Sequence, residues 1–415
     1  MTRHDEEAPH PAPDASTEFL LRFARAGHDA GYSTAELEDR LQALARSLGH
    51  KEAQISATPT LVDISLGSIP RQQSYALRVR PTAVDLDAIA RLDRLVQEVV
   101  DKPLTAEPAL AALAEVEAER LERPWPILLA AYALAGVSLT VVLGGGWREA
   151  AGAALVGLVA GAIALPGSRT ARTQSLVAPA VAVAASFCAA ALVELGLEAS
   201  PDVVTLAALV TFLPGMTLTI GMRELATDHL QSGVANTASA LVQLLGLVFG
   251  VGIGRSIASS WFGATSGTLP DSSFSALHLL AAVGAGLAFT VTLRAQRRDA
   301  LLMCAATVVA LGANELGGTL FGDQAAALVA AFTIGIAGGL AGWLLRRSPL
   351  VLIVPAVLML VPGSAGFNSV LQLLSNQTVS GITAGFDTFV TAISIAYGLM
   401  ISAIVLPRRF TQISA

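Results

Sequence analysis

The chain has 415 residues, of which 53% are hydrophobic and only 14% are charged, and its formal net charge is −6 at pH 7. Soluble domains carry about a quarter charged residues, so this composition excludes an ordinary soluble protein for most of the chain. Residues 1–123 hold 14 Lys and Arg against 21 Asp and Glu, whereas the other 292 residues hold 12 Arg and 11 acidic residues. This asymmetry indicates an acidic soluble domain followed by a membrane domain, and it argues against nucleic acid as a partner.

The amino-terminal third of the chain predicts a tail followed by a small folded domain. Residues 1–16 are acidic and rich in proline, which predicts a disordered tail without the apolar stretch of a secretory signal peptide. A helix is predicted from Thr17, and Ser33 with Glu36 forms a capping box that opens a second helix, which ends at Gly49. Three strands and two further helices are predicted over residues 54–56, 61–64, 75–79, 85–102 and 107–123. Residues 17–123 are therefore predicted to form a small α+β cytoplasmic domain with one core.

Ten apolar segments follow, each close to the roughly 20 residues that cross a bilayer core as a helix. The predicted spans cover residues 125–143, 148–165, 174–195, 203–222, 234–254, 274–293, 299–318, 324–345, 350–371 and 382–406. With the amino terminus inside, twelve boundary arginines lie on the cytoplasmic side, and two, Arg148 and Arg255, lie outside. Cytoplasmic loops carry such an excess of arginine and lysine, so both termini are predicted to be cytoplasmic.

The hydrophobic region contains an internal duplication with an offset of about 148 residues. Leu213-Pro214-Gly215 recurs as Val361-Pro362-Gly363 in the same register as two later glycine pairs. These later glycines, which we assign to helix packing, are Gly233 with Gly381 and Gly250 with Gly398. The offset gives five spans to each repeat, over residues 124–272 and 273–408, and an odd number of spans inverts the second copy. The predicted fold class is an α-helical polytopic membrane protein of ten transmembrane helices as two inverted five-helix repeats, preceded by the α+β domain.

The two Pro-Gly pairs are the predicted substrate site. Proline lacks an N–H and disfavours helix in the residue before it, so Pro214 and Pro362 are each predicted to break a span and open a half-helix. Each half-helix leaves its first N–H groups unpaired, and two such ends at a repeat interface suit a carboxylate. Freed carbonyls around Val210, Thr211, Met359 and Leu360 are expected to take an ammonium group. The predicted substrate-binding residues are Pro214, Gly215, Met216, Thr217, Pro362, Gly363, Ser364 and Asn368.

Two ordinary proline kinks are the alternative interpretation of these pairs. Serine and threonine near the breaks, such as Thr211, Thr219 and Ser369, commonly bond only a carbonyl of the preceding helical turn.

Few ionisable residues lie inside the predicted spans, and those that do are candidates for function. Asp387 has apolar neighbours and no adjacent arginine, so it is the first candidate for proton coupling or amine binding. Glu224 follows the first Pro-Gly pair and is the second candidate for proton coupling, with pairing to Arg223 or exposure to the cytoplasm as the alternatives. Glu194 and Glu315 lie near outer span ends and are weaker candidates.

Enzyme and metal signatures are missing from the sequence. No H-E-x-x-H motif and no G-x-x-x-x-G-K-[ST] phosphate loop occurs, and the six histidines are scattered. Cys188 and Cys304 lie in apolar runs without metal-type spacing. We therefore predict no catalytic residue, no metal and no cofactor.

Five short motifs are similar to those of the threonine/serine exporter family of bacterial membrane proteins. They are Gly31-Tyr32-Ser33-Thr34-Ala35-Glu36-Leu37-Glu38, Leu48-Gly49, Thr58-Pro59-Thr60, Leu213-Pro214-Gly215-Met216 and Val361-Pro362-Gly363-Ser364. The resemblance covers residues 17–408 and implies a cytoplasmic α+β domain joined to ten spans in the bacterial inner membrane. It also implies proton-driven export of small hydroxy amino acids such as threonine and serine.

Three alternatives stay open at this point. Some relatives are associated with export of dicarboxylates such as succinate, which is the alternative substrate class. A passive channel would share the broken helices without proton coupling. A sensor or assembly scaffold would act through the soluble domain, and a homo-oligomer is compatible with each of these functions.

Overall fold

The computed structural model of the protein describes residues 14–80, 82–101, 105–119, 121–168, 170–263, 275–360, 362–374 and 377–406. These residues form two compact units, one from residues 14–84 and 88–119 and one from residues 85–87 and 121–406. Of the predicted tail, residues 1–13 lie outside the described part, and the first helix begins at Ala15.

The first unit contains the predicted mixture of helices and strands. Its elements are α1 (Ala15–Ala30), α2 (Thr34–Ser47), β1 (Gln54–Thr58), β2 (Leu61–Leu66), β3 (Gln73–Arg78), α3 (Leu86–Asp101) and α4 (Ala106–Ala118). The strands form one antiparallel sheet in the order β1-β2-β3. The predicted capping box is confirmed, because the Glu36 N–H donates to Ser33 Oγ and the Ser33 N–H donates to Glu36 Oε2. The last helix ends at Ala118 rather than at the predicted Arg123.

A buried polar cluster lies among the apolar side chains of this unit. The Tyr32 hydroxyl donates to Asp93 Oδ1 at 2.6 Å, and Arg40 Nε donates to the same oxygen at 2.7 Å. The Arg40 guanidinium also lies 4.3 Å from the centre of the Tyr32 ring. Burial raises the pKa of Tyr32 well above its usual value, and the charge of Asp93 adds to this. Because buried charges need partners, the cluster joins α2 to α3 through Arg40 and Asp93.

The second unit is built from apolar helices. They are α5 (Trp125–Val142), α6 (Trp147–Gly167), α7 (Ala171–Glu194), α8 (Pro201–Leu209), α9 (Gly215–Ala226), α10 (Leu230–Phe262), α11 (Ala276–Thr292), α12 (Ala300–Phe321), α13 (Asp323–Leu345), α14 (Leu350–Leu360), α15 (Pro362–Leu374) and α16 (Thr378–Val405). Eight helical segments among the described residues are long and apolar enough to cross a membrane, or nine if the bent pair α8–α9 counts as one span. The chain is therefore a polytopic helical membrane protein.

Each of the ten predicted spans contains helix, and the fourth contains the bent pair α8–α9. The sixth is α11, which has 17 residues and is shorter than the other unbroken helices of this unit. The count of ten membrane spans and the inversion of the second half stay predictions. The repeat boundary predicted at residues 272–273 lies outside the described residues.

The two halves of this unit show the same helix neighbours in the same order. In the first half α5 packs on α6, α6 on α7, α7 on α10, and α9 on α10. In the second half α11 packs on α12, α12 on α13, α13 on α16, and α15 on α16. Shared neighbours at a constant offset are what a duplicated five-helix fold requires. They support the duplication, although they do not by themselves give the orientation of the second copy.

Candidate functional site

The first Pro-Gly pair breaks its helix as the sequence predicts. After α8, the chain makes a turn of 3-10 helix over Val210–Phe212, and α9 begins at Gly215 with its axis bent by 55°. The Leu213 N–H donates to the Val210 carbonyl at 3.2 Å, and the next N–H that finds a backbone partner is that of Leu218. The first N–H groups of α9, from Gly215 to Thr217, have no acceptor in the described part of the chain. They are the unpaired donors of a helix amino terminus.

The second Pro-Gly pair lies at the matching point between α14 and α15. Helix α14 ends at Leu360 and α15 begins at Pro362, while the predicted break residue Val361 lies outside the described residues. Gly363 is buried, and Ser364 and Asn368 are half-buried on α15. The bend at the first break is confirmed, whereas residues 350–372 form one candidate span, so the second break stays a prediction.

The structure brings the two Pro-Gly pairs into direct contact. A Cβ added to Gly363 would lie 2.9 Å from Leu213 Cβ and 3.1 Å from the backbone N of Gly215. No side chain fits there, so only a glycine at 363 lets the first turn of α15 reach the first turn of α9. The contact places the second Pro-Gly pair beside the amino end of α9. We call this place, formed by residues 213–217 and 362–366, the crossing.

Side chains from each break pack into the opposite half. Met216 on α9 contacts a core cluster of the second half that includes Val357 and Ile395. Phe367 on α15 is 2% exposed and lies in the large core cluster of the first half, with Leu213 and Leu244. The reciprocal packing fixes the crossing between the halves. It also gives Met216 an apolar contact, where the sequence interpretation considers only its N–H group.

Hydroxyl groups near the first break are buried without partners. Thr219 is 3% exposed, and neither its Oγ1 nor that of Thr211 has a hydrogen-bond partner in the described structure. Thr217 and Asn368, which the sequence assigns to the site, are half-buried. Ser369 is committed elsewhere, since its Oγ donates to the Gly381 carbonyl at 2.6 Å. Unpaired buried hydroxyls are costly, so Thr211 and Thr219 are candidates to bond a polar ligand.

Two carbonyls at the first break already accept hydrogen bonds. The Val210 carbonyl accepts the N–H of Leu213, and the Phe212 carbonyl accepts Nε2 of Gln243 on α10 at 2.8 Å. The expected ammonium site at Val210 therefore keeps only the second lone pair of that oxygen. Sequence reasoning missed Gln243, because an amide in an apolar helix gives no local sign of the carbonyl that it will cap.

The two carboxylates predicted for proton coupling have opposite environments. Glu224 on α9 is 0% exposed, and its Oε2 accepts Nδ2 of Asn236 on α10 at 2.7 Å. This excludes the alternative that Glu224 simply faces the cytoplasm. Asp387 lies exposed on α16, without an ion pair or hydrogen bond among the described residues. The structure does not place these two residues in one cluster, and it adds Asn236, which the sequence interpretation missed.

The four glycines assigned to helix packing are buried in the helices that follow the breaks. A Cβ added to Gly250 would lie 2.5 Å from the Pro179 carbonyl on α7, and one added to Gly398 would lie 2.5 Å from the Leu328 carbonyl on α13. A Cβ at Gly233 would lie 2.8 Å from the Leu225 N on α9, and the carbonyl of Gly381 accepts the Ser369 hydroxyl. The close backbone approaches of Gly250 and Gly398 occur at matching places in the two halves. Among the described residues, no group of three or more side chains is arranged to bind a metal ion.

Comparison with known proteins identifies relatives of the whole chain. A family model described as "Putative threonine/serine exporter" matches residues 18–258, and a second, described as "Threonine/Serine exporter, ThrE", matches residues 275–405. The threonine/serine exporter of Corynebacterium glutamicum is 23% identical over 90% of this chain and 78% of its own length. The "Probable threonine/serine exporter" of Mycobacterium tuberculosis is 26% identical over 92% of this chain and 75% of its own length.

A fungal protein is similar over the same region. Pheromone-regulated membrane protein 10 of Saccharomyces cerevisiae is 25% identical over 91% of this chain, which spans 50% of that protein. No solved structure matches the chain.

Proposed function

Because the chain belongs to the threonine/serine exporter family of multi-pass membrane transporters, we propose that it exports threonine, serine or a similar small amino acid, driven by the proton gradient. We place it in the bacterial inner membrane with both termini in the cytoplasm, from the arginine distribution. The observation that carries the proposal is the contact of Gly363 with Gly215, because it sets the second Pro-Gly pair against the amino end of α9.

The crossing holds the substrate carboxylate in this proposal. The unpaired N–H groups of Gly215, Met216 and Thr217 are the donors. The positive end of the α9 dipole adds to the attraction for a negative charge, and the predicted break at Pro362 would supply a second. In lipid, irregular backbone of this kind is stable only next to protein or a wet cavity, which fits a substrate site between two repeats.

The unpaired hydroxyls give the site its preference for hydroxy amino acids. Thr211 and Thr219 lie on either side of Pro214, and each can donate to or accept from the hydroxyl of threonine or serine. A substrate without a hydroxyl, such as alanine, leaves these groups unpaired. Sites built around such hydrogen bonds discriminate strongly against analogues that lack them.

Glu224 and Asp387 are the proposed proton carriers. Ionisable groups inside a membrane domain commonly carry protons or contact substrate, because burying them there is expensive. Glu224 lies on the same helix as the crossing, about 14 Å from Gly215 at 1.5 Å per residue. Glu224 and the substrate are held by the same helix, α9. A movement of α9 on protonation of Glu224 therefore couples proton transfer to substrate transport.

The test is efflux from proteoliposomes loaded with threonine, serine, alanine or succinate, with and without an imposed pH gradient. We expect threonine and serine efflux that the gradient accelerates. Efflux of succinate alone identifies a dicarboxylate exporter, and threonine flux that ignores the gradient identifies a passive channel. Either result would contradict the proposal.

Proline substitutions test the crossing itself. Pro214→Ala and Pro362→Ala let each helix continue, so the N–H groups proposed to bind the carboxylate become paired. Each lost charge-assisted hydrogen bond contributes about 1.5–3 kcal/mol, so we expect threonine binding to weaken about tenfold or more. Pro166→Ala is the matched control, because Pro166 lies exposed near the end of α6, away from both breaks. Normal efflux from the double variant would leave the two breaks as ordinary kinks.

The hydroxyl proposal has a separate test. Thr219→Val keeps the shape of the side chain and removes its hydroxyl, so we expect efflux of threonine and serine to fall relative to alanine. Ser369→Ala is the control, because that hydroxyl already bonds Gly381. Equal losses for all three amino acids would show that Thr219 contributes only to structure.

A further inference from the structure

One face of α10 changes its character half-way along the helix. Residues three and four positions apart share a face of a helix, so Gly246, Gly250 and Gly254 lie on one line. Each meets α7: added Cβ atoms would lie 3.3 Å from Pro179 Cγ at Gly246 and 2.5 Å from the Pro179 carbonyl at Gly250. Gly254 meets the Val183 carbonyl in the same way. The second half of this face therefore packs closely against the backbone of α7.

The first half of the same face is polar instead. It carries residues at i, i+4, i+7 and i+11, which we call the α10 polar face: Ser232, Asn236, Ser239 and Gln243. Its length is about 16 Å at 1.5 Å per residue. Asn236 donates to Glu224, Gln243 donates to the carbonyl of Phe212, and Ser239 between them is exposed. The α10 polar face therefore connects the buried carboxylate to the first break.

The opposite side of α10 differs in chemistry although, like Ser239 and Gln243, it is exposed. Leu241 lies about 180° around the helix from the α10 polar face, at 100° per residue. Leu241 is 38% exposed, and its neighbours Val234 and Leu245 are 60% and 54% exposed. Apolar exposure of this kind suits lipid. Polar side chains are costly in lipid, so the two exposed sides of α10 require different surroundings.

Helix α16 repeats three of the four polar positions about 148 residues later, while Ala384 takes the position of Asn236. Ser380, Asp387 and Thr391 occupy the positions of Ser232, Ser239 and Gln243, and we call them the α16 polar face. Further along the same line, Gly398 packs on the Leu328 carbonyl of α13. Phe386, beside Asp387, is 70% exposed and apolar. The sequence pattern and the change from polar to dry packing thus recur in the second half.

We propose that the two polar faces line two water-filled vestibules that lead to the crossing from opposite sides of the membrane. The α10 polar face lines the cytoplasmic vestibule, and the α16 polar face lines the external one, as inverted repeats require. This inference rests on the proposed function, because it takes the crossing as the substrate site. It assigns Glu224 to the inner path and Asp387 to the outer path. It also explains why Asp387 is exposed on a helix whose neighbouring surface is apolar.

Cysteine labelling in the full-length protein tests the vestibules without requiring transport. Cys188→Ala with Cys304→Ser removes the native thiols, and Ser239→Cys, Leu241→Cys, Asp387→Cys and Phe386→Cys are then added singly. A charged, membrane-impermeant methanethiosulfonate reagent is applied to right-side-out and inside-out vesicles. Residues 239 and 241 are matched in depth, as are 387 and 386, and all four positions are exposed, so the substitutions leave the fold intact.

We expect the cysteine at 239 to react faster than that at 241, and only from the cytoplasmic side. The cysteine at 387 should react faster than that at 386, and only from outside. A difference of about tenfold or more is expected, since each unit by which desolvation raises a thiol pKa removes about nine-tenths of the reactive thiolate. Equal rates within each pair, or labelling of 239 and 387 from one side, would overturn the proposal.

Efflux in the same vesicles separates this inference from the function on which it rests. If the cysteine-free protein moves no threonine or serine but the labelling pattern is as expected, the proposed function fails and the vestibules stand. If efflux is normal and labelling shows no preference, the vestibules fail alone.

Discussion

The hairpin of α9 and α10 in the first half and that of α15 and α16 in the second half make the same contact with exchanged residues. In the first, a Cβ added to Gly221 would lie 2.6 Å from Thr237 Oγ1. In the second, a Cβ added to Gly385 would lie 2.8 Å from Ser369 Oγ. At an offset of about 148, Ser369 occupies the position of Gly221, and Gly385 that of Thr237. The duplication has kept the close approach of the helices rather than the residue types.

The same two hairpins differ in their chemistry. The position of Glu224 is taken by Gln372 in the second half, and that of Asn236 by Ala384. Gln372 keeps a polar side chain there, with a buried Oε1 that lacks a partner in the described structure. Packing is thus shared between the halves, whereas the buried carboxylate belongs to one. A transporter whose halves were chemically equal would have no preferred position for the proton. The buried carboxylate in one half can therefore set the direction of transport.

The largest effect is expected from removing that difference. Glu224→Gln places an amide at this position in both hairpins while the Asn236 contact can persist, so we expect efflux of threonine that no longer responds to a pH gradient. Efflux in proteoliposomes with and without the gradient is the measurement, and Gln372→Asn, which conserves the amide, is the control. Retention of the gradient response in Glu224→Gln would remove Glu224 from coupling and leave Asp387 as the candidate.

The next largest effect is expected on stability, when the packing shared by the two halves is disturbed. Gly250→Ala and Gly398→Ala each place a Cβ 2.5 Å from a backbone carbonyl, which cannot move aside as a side chain can. We expect each to lower the free energy of unfolding by about 1–3 kcal/mol, as overpacking does. Thermal unfolding in detergent is the measurement. Gly252→Ala is the control, since a Cβ there meets nothing within 4 Å. Clearly unequal losses at 250 and 398 would break the equivalence of the halves.

The smallest effect on stability is expected at the exchanged contact, where Gly221 faces Thr237 in one half and Gly385 faces Ser369 in the other. A Cβ at Gly221 also meets the backbone N of Thr237 at 2.9 Å, whereas a Cβ at Gly385 closely meets only the Ser369 hydroxyl, which can rotate. Gly221→Ala is therefore expected to cost about 1–3 kcal/mol, and Gly385→Ala less than about 1.5 kcal/mol. The same unfolding assay ranks them. The reverse order would show that the hydroxyl bond of Ser369 to Gly381 is the more important contact.

Much of the fold was predictable from local patterns. Ser33 and Glu36 satisfy one another at a helix start within four residues, and Pro214 breaks its helix because its own ring removes an N–H. The register of the two Pro-Gly pairs and the later glycines predicted the matching helix order of the halves. Substrate, coupling and the orientation of the repeats stay predictions, because no contact in a single chain reports a substrate, a gradient or a membrane side.

By itself, the sequence determined where helices begin, break and recur, since proline geometry, capping and apolar length act over a few residues of chain. Only the tertiary structure decided that Gly363 touches Gly215, that Glu224 is buried against Asn236, and that Asp387 is exposed. Each of these depends on how one helix is rotated against another, and that rotation is set by the sum of many small packing contacts. The identity of a side chain fixes its chemistry, while its neighbours decide whether that chemistry faces protein, water or lipid.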